Sequence, residues 1–290
     1  MTVFMSGLTY GQFLALFLLP PIVGLSILVL RAQRRSSTEK RQQGAGRWWL
    51  LAGLLVVAIV YTIPWDSHLI ADGVWFYDPS RVSGIALAGI PLEELLFFPL
   101  QTLLVGLWVF WLTPRLAPDR RGAPPGVRWV AVAAVGMAWL VALVLLLRGW
   151  RSVTYLGLEL VWALPPLALQ LGLGADVLWR RRRLALAALL PVVTYLAGVD
   201  ALAIHAGIWV ISPRLSLGAL LGDLLPLEEL VFFVLTSALV VGGLILGGDS
   251  AVRERLRLRA RDPSQDRARD QSRDQSRDQS WDQSESVTRS

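Results

Sequence analysis

The stretch Pro91-Leu92-Glu93-Glu94-Leu95-Leu96-Phe97-Phe98 recurs later in the chain as Pro226-Leu227-Glu228-Glu229-Leu230-Val231-Phe232-Phe233. Leucine-rich segments often match one another by chance, but an eight-residue block with two adjacent glutamates does not. The chain therefore contains an internal repeat, and a fold built from two related halves is expected.

Further matches extend the repeat toward the amino terminus of each copy. Thr9-Tyr10 and Leu19-Pro20-Pro21 recur as Thr154-Tyr155 and Leu164-Pro165-Pro166. Six more residues recur at a constant offset, namely Tyr61, Asp66, Ile70, Gly73, Trp75 and Pro79, which match Tyr195, Asp200, Ile204, Gly207, Trp209 and Pro213. Each copy therefore covers most of one half of the chain.

The composition is typical of a membrane protein. Of the 290 residues, 54% are hydrophobic and 17% are charged, whereas a soluble domain carries about a quarter charged residues. A helix needs about 20 mostly apolar residues to cross the hydrocarbon core. The segments that meet this requirement are 8–30, 48–65, 90–112, 127–147, 154–178, 184–205 and 217–246. The sequence therefore predicts an all-α membrane protein with seven transmembrane helices.

The basic residues predict how these helices are oriented. They cluster in alternate connections and in the tail: Arg31, Arg34, Arg35, Lys40, Arg41 and Arg47; then Arg115, Arg120, Arg121 and Arg128; then Arg180 to Arg183; then Arg253, Arg255, Arg257 and Arg259. By the positive-inside rule the amino terminus lies outside and the carboxyl terminus in the cytoplasm. The formal charge of +6 is explained by these topology signals, so no nucleic-acid partner is predicted.

The repeat and the helix count together predict the architecture. Three helices per repeat would invert the second copy, but a fourth helix between the copies restores its orientation. The repeats are therefore expected to be parallel about a pseudo-two-fold axis along the membrane normal. We predict a first repeat at 8–112, a linker with the fourth helix at 113–152 and a second repeat at 153–247. The Arg-Asp-Gln-Ser units within 248–290 predict a disordered cytoplasmic tail.

The paired glutamates are the strongest candidates for a functional site. A carboxylate at the centre of a bilayer costs roughly 2.5–3.5 kcal/mol on insertion scales, so such residues persist mainly where they face a cavity, pair or function. Each pair follows a proline in the first helical turn, where the dipole favours negative charge, and anchoring of the helix start is the alternative explanation. Consecutive helical residues point about 100° apart. We therefore expect Glu94 and Glu229 to act chemically while Glu93 and Glu228 orient them.

A phenylalanine pair follows each glutamate pair after one helical turn, as Phe97-Phe98 and Phe232-Phe233. Aromatic faces stabilise a nearby cation without acting as nucleophiles, although ordinary helix packing explains these residues equally well. A buried carboxylic acid can hold a proton at neutral pH and donate it as a general acid. An acid beside aromatic faces in a lipid-accessible cavity is what protonation of an alkene requires.

Further candidate substrate-binding residues are Glu159, Asp66, Asp200, Trp75 and Trp209. Glu159 lies within the fifth helix, where the first repeat has Leu14, and either a function or a helix–helix hydrogen bond would explain it. The aspartates could instead cap helices two and six at the outer face, and the tryptophans could anchor the chain at the interface. With no cysteine and two histidines, the sequence predicts no metal site and no cofactor.

The two copies of Pro-Leu-Glu-Glu-Leu-(Leu/Val)-Phe-Phe, each preceded by an Asp…Gly-x-Trp element, resemble the lycopene cyclase domain of the heterodimer-type carotenoid cyclases. In that family the two halves occur as separate small membrane proteins or as one fused chain, and residues 8–246 resemble the fused form. The resemblance implies cyclisation of lycopene to β-ionone rings, giving γ-carotene and then β-carotene, without a cofactor. It also implies a lipophilic carotenoid substrate within the bilayer, contact with membrane lipid and other enzymes of carotenoid biosynthesis as partners.

Several alternatives to a β-cyclase remain open at this stage. Related family members act on C50 carotenoids or form ε or γ rings, and the position of the last base decides the ring type. In a different class, the SWEET sugar transporters share the three-plus-one-plus-three plan, but polar sugar-binding residues are scarce here outside the glutamates. A retinal-binding receptor would need a lysine in the seventh helix, whereas the one lysine of this chain is Lys40, in a loop.

Overall fold

The computed structural model describes residues 7–35, 38–119 and 122–260, except for the side chains of 38–45 and 259–260. Its helices are α1 (Tyr10–Phe17), α2 (Leu19–Arg34), α3 (Thr38–Ala71), α4 (Leu92–Leu112), α5 (Val127–Leu147), α6 (Thr154–Arg180), α7 (Arg182–Ala206), α8 (Leu227–Gly248) and α9 (Ser250–Ala260). Helices α1 and α2 follow one another directly and form the first of seven apolar spans, and α3 to α8 form the other six. The prediction of an all-α multi-pass membrane protein is confirmed.

The second span is longer than predicted, and this changes the position of Asp66. Helix α3 continues to Ala71 instead of ending at residue 65. Asp66 is fully buried, and the next residue, Ser67, is held by a hydrogen bond of 2.6 Å from its hydroxyl to the carbonyl of Ala88. Asp200 likewise lies inside α7. The expectation that these aspartates cap the ends of their helices is therefore wrong.

The last span begins later than predicted. The apolar stretch from residue 217 belongs to a loop and a hairpin, and α8 starts at Leu227. Gly218, Gly222 and Asp223 have φ values of 71°, 58° and 58°, which a continuous helix does not accommodate. Hydropathy alone could not separate this apolar loop from the helix that follows it.

Within the described residues, six short strands connect the spans on one side of the molecule: β1 (Trp75–Tyr77), β2 (Ala86–Leu87), β3 (Ile90–Pro91), β4 (Trp209–Ile211), β5 (Leu220–Leu221) and β6 (Leu225–Pro226). Strand β1 of the first repeat pairs antiparallel with β4 of the second, with Phe76 opposite Val210 at the centre. Phe76 and Val210 are equivalent positions in the repeat, at the same offset as Trp75 and Trp209. The pseudo-two-fold relation between the repeats therefore passes through this strand pair.

The other strands form a hairpin just before each glutamate helix. Strands β2 and β3 are joined by Ala88-Gly89, whose φ values of 53° and 82° are those of a primed two-residue turn. Strands β5 and β6 pair Leu221 with Leu225 and are joined by three residues. This one extra residue explains why the repeat offset increases by one between the tryptophans and the glutamates.

Helix α9 lies in a second unit that begins at Asp249. The sequence predicted disorder from residue 248 onward, but Ser250–Ala260 is helical because the segment is rich in the helix formers arginine, leucine and alanine. Asp249 also accepts a hydrogen bond of 2.9 Å from the backbone N–H of Ala251 at its start. The Arg-Asp-Gln-Ser units lie outside the described residues.

Candidate active site

A cavity of about 410 Å³ lies between the two repeats at the starts of α4 and α8, and we call it the acidic cavity. Its lining residues are Tyr10, Trp75, Tyr77, Glu94, Phe97, Tyr155, Asp200, Trp209, Glu229, Phe232 and Phe233. Three of them are carboxylic acids, and lysine and arginine are absent from this lining. One glutamate from each repeat therefore faces the same space, beside rings contributed by both.

Each of these two glutamates is paired with a tyrosine. The Tyr10 hydroxyl donates a hydrogen bond to Oε2 of Glu94, and the Tyr155 hydroxyl donates one of 2.7 Å to Oε1 of Glu229. Both tyrosines are essentially inaccessible to solvent. They are repeat-equivalent, so the structure contains two copies of one glutamate–tyrosine pair.

The loops that precede α4 and α8 hold the tyrosines in place. Tyr10, the first residue of α1, donates its backbone N–H to the carbonyl of Arg81 at 2.8 Å, and Tyr155 donates to Leu215 at 2.9 Å. Arg81 and Leu215 are themselves equivalent in the repeat. An N–H at a helix start has no partner within its helix, so the loop carbonyl both satisfies it and fixes the position of the ring.

A third tyrosine makes the two pairs unequal. Tyr77 hydrogen-bonds to Glu94 as well, whereas the equivalent position in the second repeat is Ile211. Burial, followed by the nearby Glu94 carboxylate, raises the pKa of the Tyr77 phenol well above its usual value, so Tyr77 remains a neutral donor. Glu94 thus accepts hydrogen bonds from two phenols, and Glu229 from one.

The other glutamate of each motif points to the loop. Glu93 Oε1 accepts a hydrogen bond of 2.7 Å from the backbone N–H of Ser83, and Glu228 Oε1 accepts one of 2.6 Å from Leu217. Neither residue is part of the lining of the acidic cavity. The two glutamates of each motif therefore face different surroundings, as their angular separation on the helix predicted.

Both tryptophans line the acidic cavity. Trp209 of the second repeat contacts Tyr10 of the first, with ring centroids 4.9 Å apart. Trp75 of the first repeat contacts Tyr155 of the second at 5.3 Å, and it is 7% exposed. The pairing of β1 with β4 causes this exchange, because each strand carries its tryptophan to the glutamate–tyrosine pair of the other repeat.

Three of the four phenylalanines of the motifs line the acidic cavity. Phe97 and Phe233 approach each other across the repeats, with centroids 6.3 Å apart, and Phe232 completes the group. Phe98 instead lines a second cavity. The acidic cavity therefore has carboxyl groups at the starts of α4 and α8 and aromatic faces one turn further along these helices.

The remaining carboxyl groups are buried but differ in position. Asp200 lines the acidic cavity, whereas Asp66 and Glu159 do not, although both are fully buried. Neither oxygen of Asp66 or of Glu159 has a hydrogen-bond partner among the described residues. A helix–helix hydrogen bond through Glu159 is therefore not observed. Its electrostatic neighbours are Glu229 and Glu228.

The sequence interpretation did not assign the tyrosines to the site. Tyr10 and Tyr155 belong to the matches that define the repeat, whereas the position equivalent to Tyr77 is Ile211. Their signal was a phenol at the start of a membrane helix in both copies, a polar group that needs a buried partner. The glutamates provide such partners, so the two repeated motifs could have been joined by this argument.

Comparison with known proteins is consistent with this geometry. The family model described as lycopene cyclase matches residues 25–112 and 152–244, one match in each repeat. The lycopene beta-cyclase of Halobacterium salinarum strain R1 is 41% identical over 243 residues, which cover 82% of this chain and 95% of the relative. No solved structure matches the chain.

Fungal relatives carry a similar region within longer proteins. The bifunctional lycopene cyclase/phytoene synthase of Pyrenophora tritici-repentis is 39% identical over 207 residues, which cover 66% of this chain and 34% of the relative. The enzyme of the same description from Leptosphaeria maculans is 34% identical over 254 residues, 82% of this chain and 41% of the relative. The family match in both repeats and the identity over most of the chain show that this protein belongs to the lycopene cyclase family.

Proposed function

We propose that this chain is a lycopene β-cyclase in which the two glutamates of the acidic cavity carry out the proton transfers. The observation that carries the proposal is that Glu94 and Glu229 face one cavity, each hydrogen-bonded to a tyrosine and surrounded by aromatic rings. The 41% identity to a lycopene beta-cyclase supplies the substrate class and the reaction.

The first step is protonation of the terminal trisubstituted alkene of lycopene. A carboxyl group without a cationic neighbour in apolar surroundings keeps its proton, and lysine and arginine are absent from the lining of the acidic cavity. One glutamic acid gives this proton to the alkene, so its O–H bond breaks while a C–H bond and a tertiary carbocation form. A general acid of this kind accelerates a reaction by roughly 10²–10⁴-fold.

Ring closure follows without further proton transfer. The next double bond of the substrate attacks the cation, which forms the carbon–carbon bond of the ring and moves the positive charge into it. Phe97, Phe232 and Phe233 present aromatic faces to this space, and such faces stabilise a cation by about 0.5–2 kcal/mol each. Exclusion of water protects the cation from capture.

The last step is removal of a ring proton by a carboxylate. The electrons of the broken C–H bond become the ring double bond, and the proton passes to the glutamate that acts as base. Return of this proton to the acid glutamate resets the site before the next turnover, so the net reaction is an isomerisation. Glu94 suits the base because Tyr10 and Tyr77 both donate hydrogen bonds to it, which stabilises its carboxylate form. Glu229, with a single phenol donor, is then the acid.

Other residues and the surroundings of the chain lie outside this proton path. We propose that Asp200, Trp75 and Trp209 shape the substrate end group in the cavity. Asp66 and Glu159 are buried and do not line the cavity, so they would act through their neighbours. The seven spans place the chain in a membrane. We propose the cell membrane, with the amino terminus outside, and other enzymes of carotenoid biosynthesis as functional partners. The relatives do not favour the transporter alternative.

Expression in a lycopene-accumulating bacterium tests the proposal directly. Pigment chromatography is expected to show γ-carotene and β-carotene when the intact chain is present in the membrane. Lycopene that remains unchanged, with the protein detected in the membrane fraction, would contradict a cyclase. Bicyclic products with ε or γ rings would retain the acid step but move the final base away from the position proposed for Glu94.

A further inference from the structure

A second cavity of about 740 Å³ opens deeper along the helices, and we call it the apolar cavity. Helices α3 and α4 of the first repeat and α6 and α8 of the second line it, among others through Val57, Ala58, Tyr61, Trp162, Gln170 and Thr236. It is larger than the acidic cavity and shares no residue with it.

The polar side chains around the apolar cavity are largely bonded within the protein. Gln101 donates to the hydroxyl of Thr236 at 2.8 Å, and Thr236 donates to the carbonyl of Phe232 at 2.6 Å. Gln170 donates to the carbonyl of Leu239 at 2.9 Å. These donors are used by the protein itself, so the cavity presents mainly hydrocarbon surface to an occupant.

An aromatic stack joins the two cavities. Phe232 of the acidic cavity lies 5.9 Å from Trp65 with the rings nearly parallel. Trp65 stacks on Trp162 at 4.4 Å, and Trp162 stacks on Tyr61 at 5.6 Å. Trp162 and Tyr61 line the apolar cavity. A continuous row of ring faces therefore leads from the carboxyl groups to the apolar cavity.

This row occurs on one side of the pseudo-two-fold axis. The positions equivalent to Trp65 and Trp162 are Val199 and Phe17. The tyrosine contact is kept on both sides, since Tyr61 donates to the carbonyl of Trp162 at 2.8 Å and Tyr195 donates to that of Phe17. The framework is thus symmetric, but Val199 interrupts the stack on the second side.

The apolar cavity also communicates with the membrane. Val57 and Tyr61 line it and are 56% and 41% exposed, so part of its wall is the lipid-facing surface of α3. A ligand that dissolves in the bilayer could enter sideways between helices. A polar ligand from water could not use this route.

We propose that the apolar cavity binds the unreacted polyene chain of the carotenoid while its terminal alkene lies in the acidic cavity. The inference rests on the proposed function, and it follows from the aromatic stack, the apolar lining and the lateral opening. A conjugated chain packs well against ring faces. Because the stack exists on one side, one end of the substrate is bound at a time, and the molecule must leave and turn before its second end can react.

Graded filling of the apolar cavity tests this inference. Ala58, on α3, lines the cavity, and its counterpart in the second repeat is Val192. We would compare Ala58→Val, Ala58→Leu and Ala58→Phe in the Glu94→Gln/Glu229→Gln background, where lycopene binds without turning over. Binding is read from lycopene absorption that co-elutes with purified protein, and thermal unfolding checks folding. Ala52→Phe, on the exposed surface of the same helix, is the matched control.

The expected result is a stepwise loss of lycopene binding with side-chain size. Ala58→Phe should weaken binding by roughly tenfold or more, the factor that corresponds to about 1.4 kcal/mol, while Ala52→Phe binds as the parent does. Unchanged binding in the folded Ala58→Phe protein would overturn the inference and leave the cyclase proposal standing; a lipid acyl chain would then be the better occupant. If the intact chain neither binds nor cyclises lycopene, the proposed function itself fails, and this inference fails with it.

Discussion

The hydroxyl of Tyr155 donates a hydrogen bond of 2.7 Å to Glu229, and the equivalent pair of Tyr10 and Glu94 lies in the same cavity. In each pair a buried carboxyl and a buried phenol satisfy one another within the membrane, where no bulk water is available to either group. Each tyrosine and its glutamate are therefore expected to be coupled, so a change to the tyrosine should affect ring formation through the glutamate.

Replacing either cavity glutamate by glutamine should stop ring formation. The amide retains the size of the side chain and can still accept the tyrosine hydrogen bond, but it cannot transfer a proton to carbon. Pigment chromatography should show cyclic carotenes reduced by at least about a hundredfold for Glu94→Gln and for Glu229→Gln. This factor is the rate enhancement that a general acid or base usually contributes. Glu254→Gln on α9, an exposed glutamate, is the control. Full activity in either cavity variant would exclude that glutamate from the proton path.

Removing the phenol hydroxyls should slow the reaction without abolishing it. Tyr155→Phe leaves the buried carboxyl of Glu229 without its phenol donor, which costs roughly 1–3 kcal/mol and corresponds to about 5- to 150-fold in rate. Tyr10→Phe should have a smaller effect, because Glu94 keeps the hydrogen bond from Tyr77. The double variant Tyr155→Phe/Glu229→Gln should be no slower than Glu229→Gln alone, because the hydroxyl acts through the carboxyl. If the two effects multiplied, the tyrosine would have an independent role.

Glu93 and Glu228, the glutamates that point to the loops, should affect stability more than chemistry. Glu93 and Glu228 accept hydrogen bonds from the backbone N–H groups of Ser83 and Leu217, so Glu93→Ala and Glu228→Ala should lower the thermal unfolding temperature in detergent while retaining measurable ring formation. Loss of one such buried hydrogen bond costs about 1–3 kcal/mol. If a variant lost activity while its unfolding temperature stayed unchanged, Glu93 and Glu228 would instead take part in the chemistry.

Deleting the residues after Gly248 should leave cyclisation unchanged. All the residues that line the acidic and apolar cavities precede this position, and the first compact unit ends there. Pigment yield per amount of membrane-inserted protein is the measurement. A stably inserted truncation that forms no rings would assign a catalytic or assembly role to the tail.

The parts of the fold that could be predicted from sequence are those encoded locally. Long apolar segments identify helices because length and hydropathy are properties of contiguous residues, and the glutamate motifs stand out because charge is rare there. The end of α3 could not be predicted, since Asp66 looks like a loop residue until its buried surroundings are known. The start of α8 was missed because the hairpin before it is as apolar as a helix.

The site itself required contacts that are distant in sequence. The sequence around Trp75 does not predict its contact with Tyr155. Strands β1 and β4 are separated by several membrane spans and pair without a connecting turn. The same separation hid the role of Tyr10. A repeat indicates that two similar structures exist, but it does not tell which side chains they exchange.

That exchange has a consequence for how the active site comes into being. Each repeat holds a glutamate and a tyrosine, but the tryptophan that contacts this tyrosine is provided by the other repeat. In a single repeat, the edge of strand β1 or β4 would be unpaired, and the cavity beside its glutamate would lack the tryptophan ring. Two halves made as separate chains would therefore be expected to be inactive apart and active when mixed in one membrane, a result that pigment analysis of each half alone and of both together can check. In such a system the two halves would become active only when they assemble. The three residue pairs between β1 and β4 would then decide whether an active site forms.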